Sequence, residues 1–378
     1  MRPVVYLDNG ATTRVDERVA LLAAEAMTVA FGNPSSAHRL GVEAARRLDE
    51  ARQRVARAIG AAATELTFTS GGTESNALGF YGAARAARGK HVVCSAFEHP
   101  SVLDAAARLK ALGYEVSLVA PEPSGAVDVA RFAEAVRADT AACALMLVQN
   151  EIGIVQPVAE VARAVKAKAP RCHVHVDAVQ AIGKLAVDVT AQPIDSLALS
   201  AHKLHGPKGA GALWLRKGAR VEPRQFGGGQ ERGVRPGTEG VPGLVALGLA
   251  VELAERARPE AARRMAEQRD RLWALIAARV PGARRHGDPS RAAPHILSVG
   301  FPARPAEPLL HAMEARGVCV SAGSACHAKD KRPSATLRAL GVPDDMGTLR
   351  FSLSRDTTDE EIGLAAEAAA AAFVELAT

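Results

Sequence analysis

No run in the sequence approaches the roughly 18 consecutive apolar residues that a membrane-spanning helix needs. The opening residues, MRPVVYLDNGATT, lack the apolar core of a secretion signal, so the expected compartment is the cytoplasm. Cysteine is scarce: five residues, at positions 94, 143, 172, 319 and 326, odd in number and without a C-x-x-C pair. A disulfide framework and a zinc site made of cysteine are poor readings of that pattern. The P-loop pattern G-x-x-x-x-G-K-S/T and the pattern G-x-G-x-x-G are both missing, which excludes two glycine-rich nucleotide signatures. Internal repeats and low-complexity linkers are also absent.

What is present fits a soluble globular chain. Its 378 residues exceed one simple core and suit two domains. Hydrophobic residues make up 48% and charged residues 23%, both ordinary. The net charge is +6, but acids interrupt the bases, as Asp49 and Glu50 do in RRLDEARQRVAR. That interleaving describes solvated helix faces, so nucleic acid is not the expected ligand. An acidic partner protein or a transient RNA contact stays open. Four of the cysteines lie in apolar strings (HVVCSA, AACALM, RCHVHV, GVCVSA) and are expected to be buried and inert. Cys326, in GSACHAKDK, stands apart.

Short β-rich runs alternate with helical patterns through the first two thirds. The expected strands are 65–69, 91–96, 114–120, 141–148, 173–178, 195–200 and 211–216. Residues 43–59 place Ala44, Leu48, Ala51, Val55 and Ile59 on one helix face, and Pro100 and Asp128 read as helix starts. This alternation predicts an α/β domain with a mainly parallel sheet. Beyond about residue 240 an Ala/Glu/Arg helical stretch runs to Val280, with an expected interruption near Pro259. HILSVGF, GVCVSA and TLRFSLS then read as strands, and Thr358-x-x-Glu361 as a capping box opening a last helix. The expected division is a large domain over 16–259 and a smaller α+β domain made of 1–15 and 260–378.

Several strand ends carry polar residues. Lys203, in SAHKLHGPKG, follows an apolar strand and precedes a Gly/Pro loop, where a lysine can bond an aldehyde cofactor. In HVHVDAVQ, strand alternation puts His173, His175 and Asp177 on one face. Those three residues suit a metal. Alternatively, Asp177 at the strand's end pairs with a pyridinium nitrogen while the histidines pack. SGGTESN (70–76) can offer backbone N–H groups and Thr73 to a phosphate. His99 in EHPS can stack on a flat ring or handle a proton, and Asn150 in NEIG can donate to cofactor or substrate. Such convergence is what one pocket at a sheet edge requires.

Taken in order, these motifs resemble the bacterial cysteine desulfurases of the NifS/IscS-like group. The resemblance runs from YLDNGATT (6–13) through FGNPSSAH, FTSGGTESN, QNEIGIVQP, HVDAVQ, SAHKLHGPKG, GGGQERGVRPGT and SAGSAC to LRFSLSRDTT (349–358). It implies a fold-type I transferase dependent on pyridoxal 5′-phosphate, with helices on both faces of the large sheet, working as a homodimer on L-cysteine. It also implies roles. Lys203 bonds the cofactor and removes the substrate's α-proton. Asp177 and Gln180 meet the ring's nitrogen and O3′, and His99 stacks on it. Gly72, Thr73, Ser200 and His202 hold the phosphate, and Thr238 reaches the phosphate of the other subunit's cofactor. Asn150 and Arg350 take the substrate carboxylate. Cys326 attacks the substrate sulfur, keeps it as a persulfide, and passes it to an Fe–S scaffold or another acceptor protein. One stretch departs from relatives: His327, Lys329, Asp330, Lys331 and Arg332 replace the usual small neutral residues. Their cations favour the Cys326 thiolate and give that loop a basic tip. Three other readings stand beside this one: an aminotransferase or β-lyase of the same fold, a metal-dependent hydrolase on His173, His175 and Asp177, and a non-catalytic sulfur-relay or RNA-binding scaffold.

Overall fold

The computed structural model describes residues 4–322 and 334–376. Cys326 and the charged residues after it lie outside the described residues. A short strand, β1 (Val5–Tyr6), opens the chain. Seven strands then build the large sheet: β2 (Leu66–Thr69), β3 (His91–Ser95), β4 (Glu115–Val119), β5 (Thr140–Ala144), β6 (His173–Asp177), β7 (Ser196–Ser200) and β8 (Gly211–Leu215). Their order across the sheet is β2-β8-β7-β6-β5-β3-β4. The run from β7 to β4 is parallel, and β8 is antiparallel to both of its neighbours.

Every residue of β3, β5, β6 and β7 is buried, as expected of parallel strands covered on both faces. Alternation sorts their side chains. Val93, Cys143, Val174, Val176 and Leu197 pack with Leu48 and Val55 of helix Arg39–Ala58 and with Ile59, which caps its C-terminus. On the opposite face, Val92, Cys94 and Ala142 pack with Phe80, Val102 and Leu109. The expected apolar stripe of residues 43–59 is therefore the stripe that is buried, and Pro100 and Asp128 do open helices.

A second sheet contains β9 (Arg284–Arg285), β10 (Ile296–Phe301), β12 (Ser321–Ala322) and β13 (Gly347–Ser352), in the order β12-β13-β10-β9. Between them in the chain, β11 (Val318–Cys319) pairs parallel with β1. A separate apolar core joins Val5 and Leu7 to Leu297, Val299, Phe301, Phe351 and the last helix, Asp359–Glu375. That helix begins at the expected capping box of Thr358 and Glu361.

Four local expectations differ from what is observed. Helix Val241–Ala277 runs unbroken through Pro259. Proline lacks an N–H, but Leu244, Leu247 and Val251 are covered by the first core and Met265, Leu272 and Ile276 by the second. Tertiary cover on both sides outweighs the missing hydrogen bond. The strand expected over 141–148 ends at Ala144, although Leu145 and Leu147 still donate to the His175 and Asp177 carbonyls, and Met146 between them lines a cleft. GVCVSA is split at Val320, with Val318–Cys319 on β1 and Ser321–Ala322 on β13. Cys319 is therefore only half-buried, whereas Cys94, Cys143 and Cys172 are buried.

Candidate active site

The carboxyl ends of the parallel strands open on a cleft of about 620 Å³. In open α/β sheets this is the edge where ligands bind. Gly72, Thr73, His99, Asn150, Asp177, Gln180, Ser200, His202, Lys203 and Arg350 all line it. Thr238 is exposed and does not line this cleft.

Lys203 ends a single 3₁₀ turn, Ala201–Lys203, directly after β7. Its Nζ donates to the carbonyl oxygens of Gly10 (2.5 Å) and Ala11 (2.7 Å). Beneath it, Lys184 Nζ donates to the Lys203 carbonyl at 2.5 Å. Burial pushes the Lys184 amine down to about 7, with the charge of Lys203 adding to the effect. His202 is held down to about 4 by burial and then by the Lys203, Lys208 and Lys184 charges, so it is a neutral imidazole beside the lysine.

Asp177 is the last residue of β6. Its Oδ2 accepts from Asn76 Nδ2 (2.7 Å) and its Oδ1 from the Val179 N–H (2.9 Å). Gln180 donates to the Gly10 carbonyl (2.9 Å). His99 caps helix Pro100–Ala111, its Nδ1 accepting from the Ser101 N–H at 3.1 Å and lying 2.8 Å from Ser101 Oγ. Burial lowers the His99 pKa against the opposing pull of Asp177.

Across the cleft, Gly72 starts a helical run, preceded by Gly71 at φ +152°, a conformation side chains rarely adopt. A Cβ on Gly72 would come within 2.7 Å of Val179. The facing Ser200 hydroxyl is buried and has no hydrogen-bond partner. An orphan hydroxyl beside a glycine-opened helix start offers the chemistry that a phosphate needs. Together the amine, the carboxylate, the imidazole wall and this cradle fit a flat, phosphorylated aldehyde.

Arg350 reaches in from β13. Its Nη1 donates to the Asn150 carbonyl and its Nη2 to Asp8 Oδ1, both at 2.8 Å, while its Nε has no partner. The cleft wall also holds two acids whose pKa burial raises to neutrality or above. Glu98 is pushed up to about 8 and Glu151 to about 7. Glu98 Oε1 accepts from Ser95 Oγ (2.5 Å) and Met146 N (2.9 Å), and its Oε2 is unpartnered.

His173 and His175 do not join Asp177 around a common point. Both meet Ser196 Oγ, at 2.7 and 2.8 Å, while Asp177 faces Asn76. Asn76, Ser101, Asp8 and Gly10 are site residues to which the sequence assigned no role. Asn76 and Asp8 lie inside strings already singled out, but their partners are about a hundred or more residues away, so no local pattern reports them.

Residues 5–364 match the family described as Aminotransferase class-V. A cysteine desulfurase IscS of Methanosarcina thermophila is 41% identical over 95% of this chain and 89% of its own. One from Photorhabdus laumondii is 41% identical over 97% and 92%. Among solved structures, a NifS-like protein superposes with a TM-score of 0.93 at 35% identity, covering 99% of this chain and all of that one.

Proposed function

Because the chain belongs to the class-V aminotransferases and, within them, to the cysteine desulfurases, we propose that the cleft converts L-cysteine to L-alanine and hands the sulfur to Cys326. The cofactor of this family is pyridoxal 5′-phosphate. The observation that carries the reading is the convergence of Lys203, Asp177, His99 and the orphan Ser200 hydroxyl on one cleft. Gly72, Thr73, Ser200 and His202 would hold the phosphate, Asp177 the ring nitrogen and Gln180 the ring hydroxyl, and His99 would cover the ring. When bound, the cofactor supplies a carbonyl for the substrate amine and a ring that takes up electrons from the substrate's α-carbon.

The chain's own groups do the rest. Arg350 and Asn150 hold the substrate carboxylate, a fixed fork that a planar guanidinium provides. Lys203 Nζ, freed from the Gly10 and Ala11 carbonyls, takes the proton from the α-carbon. Cys326 Sγ, as thiolate, forms an S–S bond to the substrate sulfur as the C–S bond breaks. The C–S electron pair stays on the substrate's β-carbon, which takes a proton, Lys203 Nζ returns its proton to the α-carbon, and alanine departs. The persulfide then passes to an acceptor protein, an Fe–S scaffold or another sulfur consumer, and the basic run Lys329, Lys331 and Arg332 suits an acidic partner.

We take residues 16–259 as the cofactor-binding domain, and 1–15 with 260–378 as the smaller domain carrying the Cys326 segment. A homodimer is part of the same reading. Thr238 is exposed here and serves the other subunit's phosphate, and Leu21, Met27, Phe31 and Phe226 are exposed apolar side chains that a partner would cover. The cytoplasm is the proposed compartment, and no helix among the described residues is long and apolar enough to cross a membrane.

The test is to give the purified protein pyridoxal phosphate, L-cysteine and a thiol reductant, and to quantify alanine and sulfide for wild type and Cys326→Ala. Equal amounts from wild type and near-complete loss in the variant are expected. Full activity in the variant would make Cys326 a bystander and favour direct β-elimination. No alanine from wild type would end the desulfurase reading.

A further inference from the structure

The two histidines of HVHVD have no part in the reaction above, yet both are buried polar side chains with defined partners, His175 completely so. Burial pushes His173 down to about 4 and His175 to about 3, so both are neutral imidazoles with one donor and one acceptor nitrogen each. His173 Nε2 lies 2.7 Å from Ser196 Oγ, Ser196 Oγ 2.8 Å from His175 Nδ1, and His175 Nε2 2.9 Å from Asn76 Oδ1. Asn76 Nδ2 then lies 2.7 Å from Asp177 Oδ2 and 2.8 Å from Ser101 Oγ, which lies 2.8 Å from His99 Nδ1.

The chemistry of the partners gives this chain one polarity. A carboxylate only accepts, so the amide nitrogen of Asn76, not its oxygen, faces Asp177. The amide oxygen therefore faces His175, whose Nε2 must carry the proton. His175 Nδ1 is then the acceptor for the Ser196 hydroxyl, which in turn accepts from His173 Nε2–H. At the other end, Asn76 donates its second N–H to Ser101 Oγ, and the Ser101 hydroxyl and N–H both point at His99 Nδ1. His99 accordingly carries its proton on Nε2.

The backbone is shaped for this contact. Asn76 is followed at once by a π-helical turn, Ala77–Gly82, a local widening often found at functional sites. Within it, a Cβ on Gly79 would fall 2.3 Å from His175 Nδ1, so only glycine lets the helix lie against the imidazole.

We propose that His175 is a positioning residue. Locked by Ser196 with its proton on Nε2, it orients the Asn76 amide so that both amide N–H groups serve the cleft, one on Asp177 and one on the Ser101–His99 pair. His175 does not line the cleft, so it acts only through Asn76. The role rests on the proposed duties of Asp177 and His99, whereas the proton positions belong to the cofactor-free chain.

Two measurements test it. The first is the ¹³Cδ2 shift of His175 and His99 in the cofactor-free, full-length protein, assigned by single histidine substitutions. Both are expected in the Nε2–H form, with His175 not titrating between about pH 5 and 9. A proton on Nδ1 of His175, or a charged His175 at neutral pH, would overturn the proposal. The second compares His175→Gln, which keeps a donor for Asn76 Oδ1, with His175→Phe, which keeps a ring of similar size but no donor. Pyridoxal-phosphate affinity should stay within about twofold for the glutamine variant and fall about tenfold for phenylalanine, the scale of one misplaced hydrogen bond to a charged group. Equal affinities in the two variants would refute it. If the phenylalanine variant does not fold, the wild-type proton positions decide alone. If wild type itself binds no cofactor, the reading of the cleft fails while the tautomer measurement still judges the relay.

Discussion

Removing the guanidinium of Arg52 should destabilise the protein far more than removing a surface arginine. Arg52 and Glu231 have side chains only 10% and 2% exposed, and they meet in two bonds of 2.8 and 2.6 Å. Glu231 also accepts from the Phe68 N–H at 2.8 Å, and Arg52 lies 4.4 Å above the Phe68 ring and donates to the Leu66 carbonyl. The pair therefore ties helix Arg39–Ala58 to β2 and to the turn at Gln230–Gly233. In that turn Glu231 and Arg232 have φ of +46° and +56°, positions unfavourable for residues with a side chain. Arg52→Ala leaves a buried carboxylate unpaired, which costs about 3–5 kcal/mol. The control is Arg263→Ala, whose partner Glu267 is 60% exposed like Arg263 itself, with an expected loss of under about 1 kcal/mol. Urea unfolding followed by far-UV circular dichroism gives both values on one scale. The same variant should speed hydrogen exchange across 228–238, the stretch that leads to Thr238. A loss below about 1 kcal/mol for Arg52→Ala would refute the claim that this ion pair anchors the turn.

Three further outcomes are expected. Ser200→Ala should leave the stability of the cofactor-free protein unchanged, since the hydroxyl has no partner there, but weaken pyridoxal-phosphate binding about 10- to 100-fold; unchanged affinity in a fluorescence titration would remove Ser200 from the phosphate cradle. Glu98, whose pKa is raised to about 8, binds a proton on folding, so it favours the fold fully below about pH 4.5 and progressively less as pH rises to about 8. Glu98→Gln, being neutral at every pH, should flatten that decline in stability, and identical pH slopes for the two proteins would contradict it. Arg350→Lys keeps the charge but loses the fork to Asn150 and Asp8, so KM for L-cysteine should rise about tenfold or more in steady-state assays. An unchanged KM would place the substrate carboxylate elsewhere.

Where the sequence was legible, one physical rule governed the segment. Six of the seven strands of the large sheet lie within their expected stretches, and β5 starts one residue before its own, because short β-rich runs between helical patterns leave few alternatives. Nine of the ten expected site residues that line the cleft do so because the carboxyl ends of strands in the large sheet share an edge, and the tenth, Arg350, comes from β13 of the second sheet. The rest depended on contacts that no local string contains. Pro259 looked like a break because helix propensity is local, whereas the cover that keeps Val241–Ala277 intact comes from two cores. Val320 looked like the middle of a strand because alternation continues through it, but the chain changes partners there. His173, His175 and Asp177 suggested a metal because spacing reports a shared face and not the hydroxyl of Ser196, which stands between the two imidazoles.

Helix Val241–Ala277 belongs to both cores, and that membership bears on how the protein comes apart. Stripping either core uncovers half of a rod about 55 Å long, and a proline in the middle of that rod removes the reserve of hydrogen bonding that would let half of it stand alone. The two cores are thus mechanically in series, and melting of one withdraws support from the other. Calorimetry on the cofactor-free protein should give one thermal transition, and two well-separated peaks would mean that the shared helix transmits nothing.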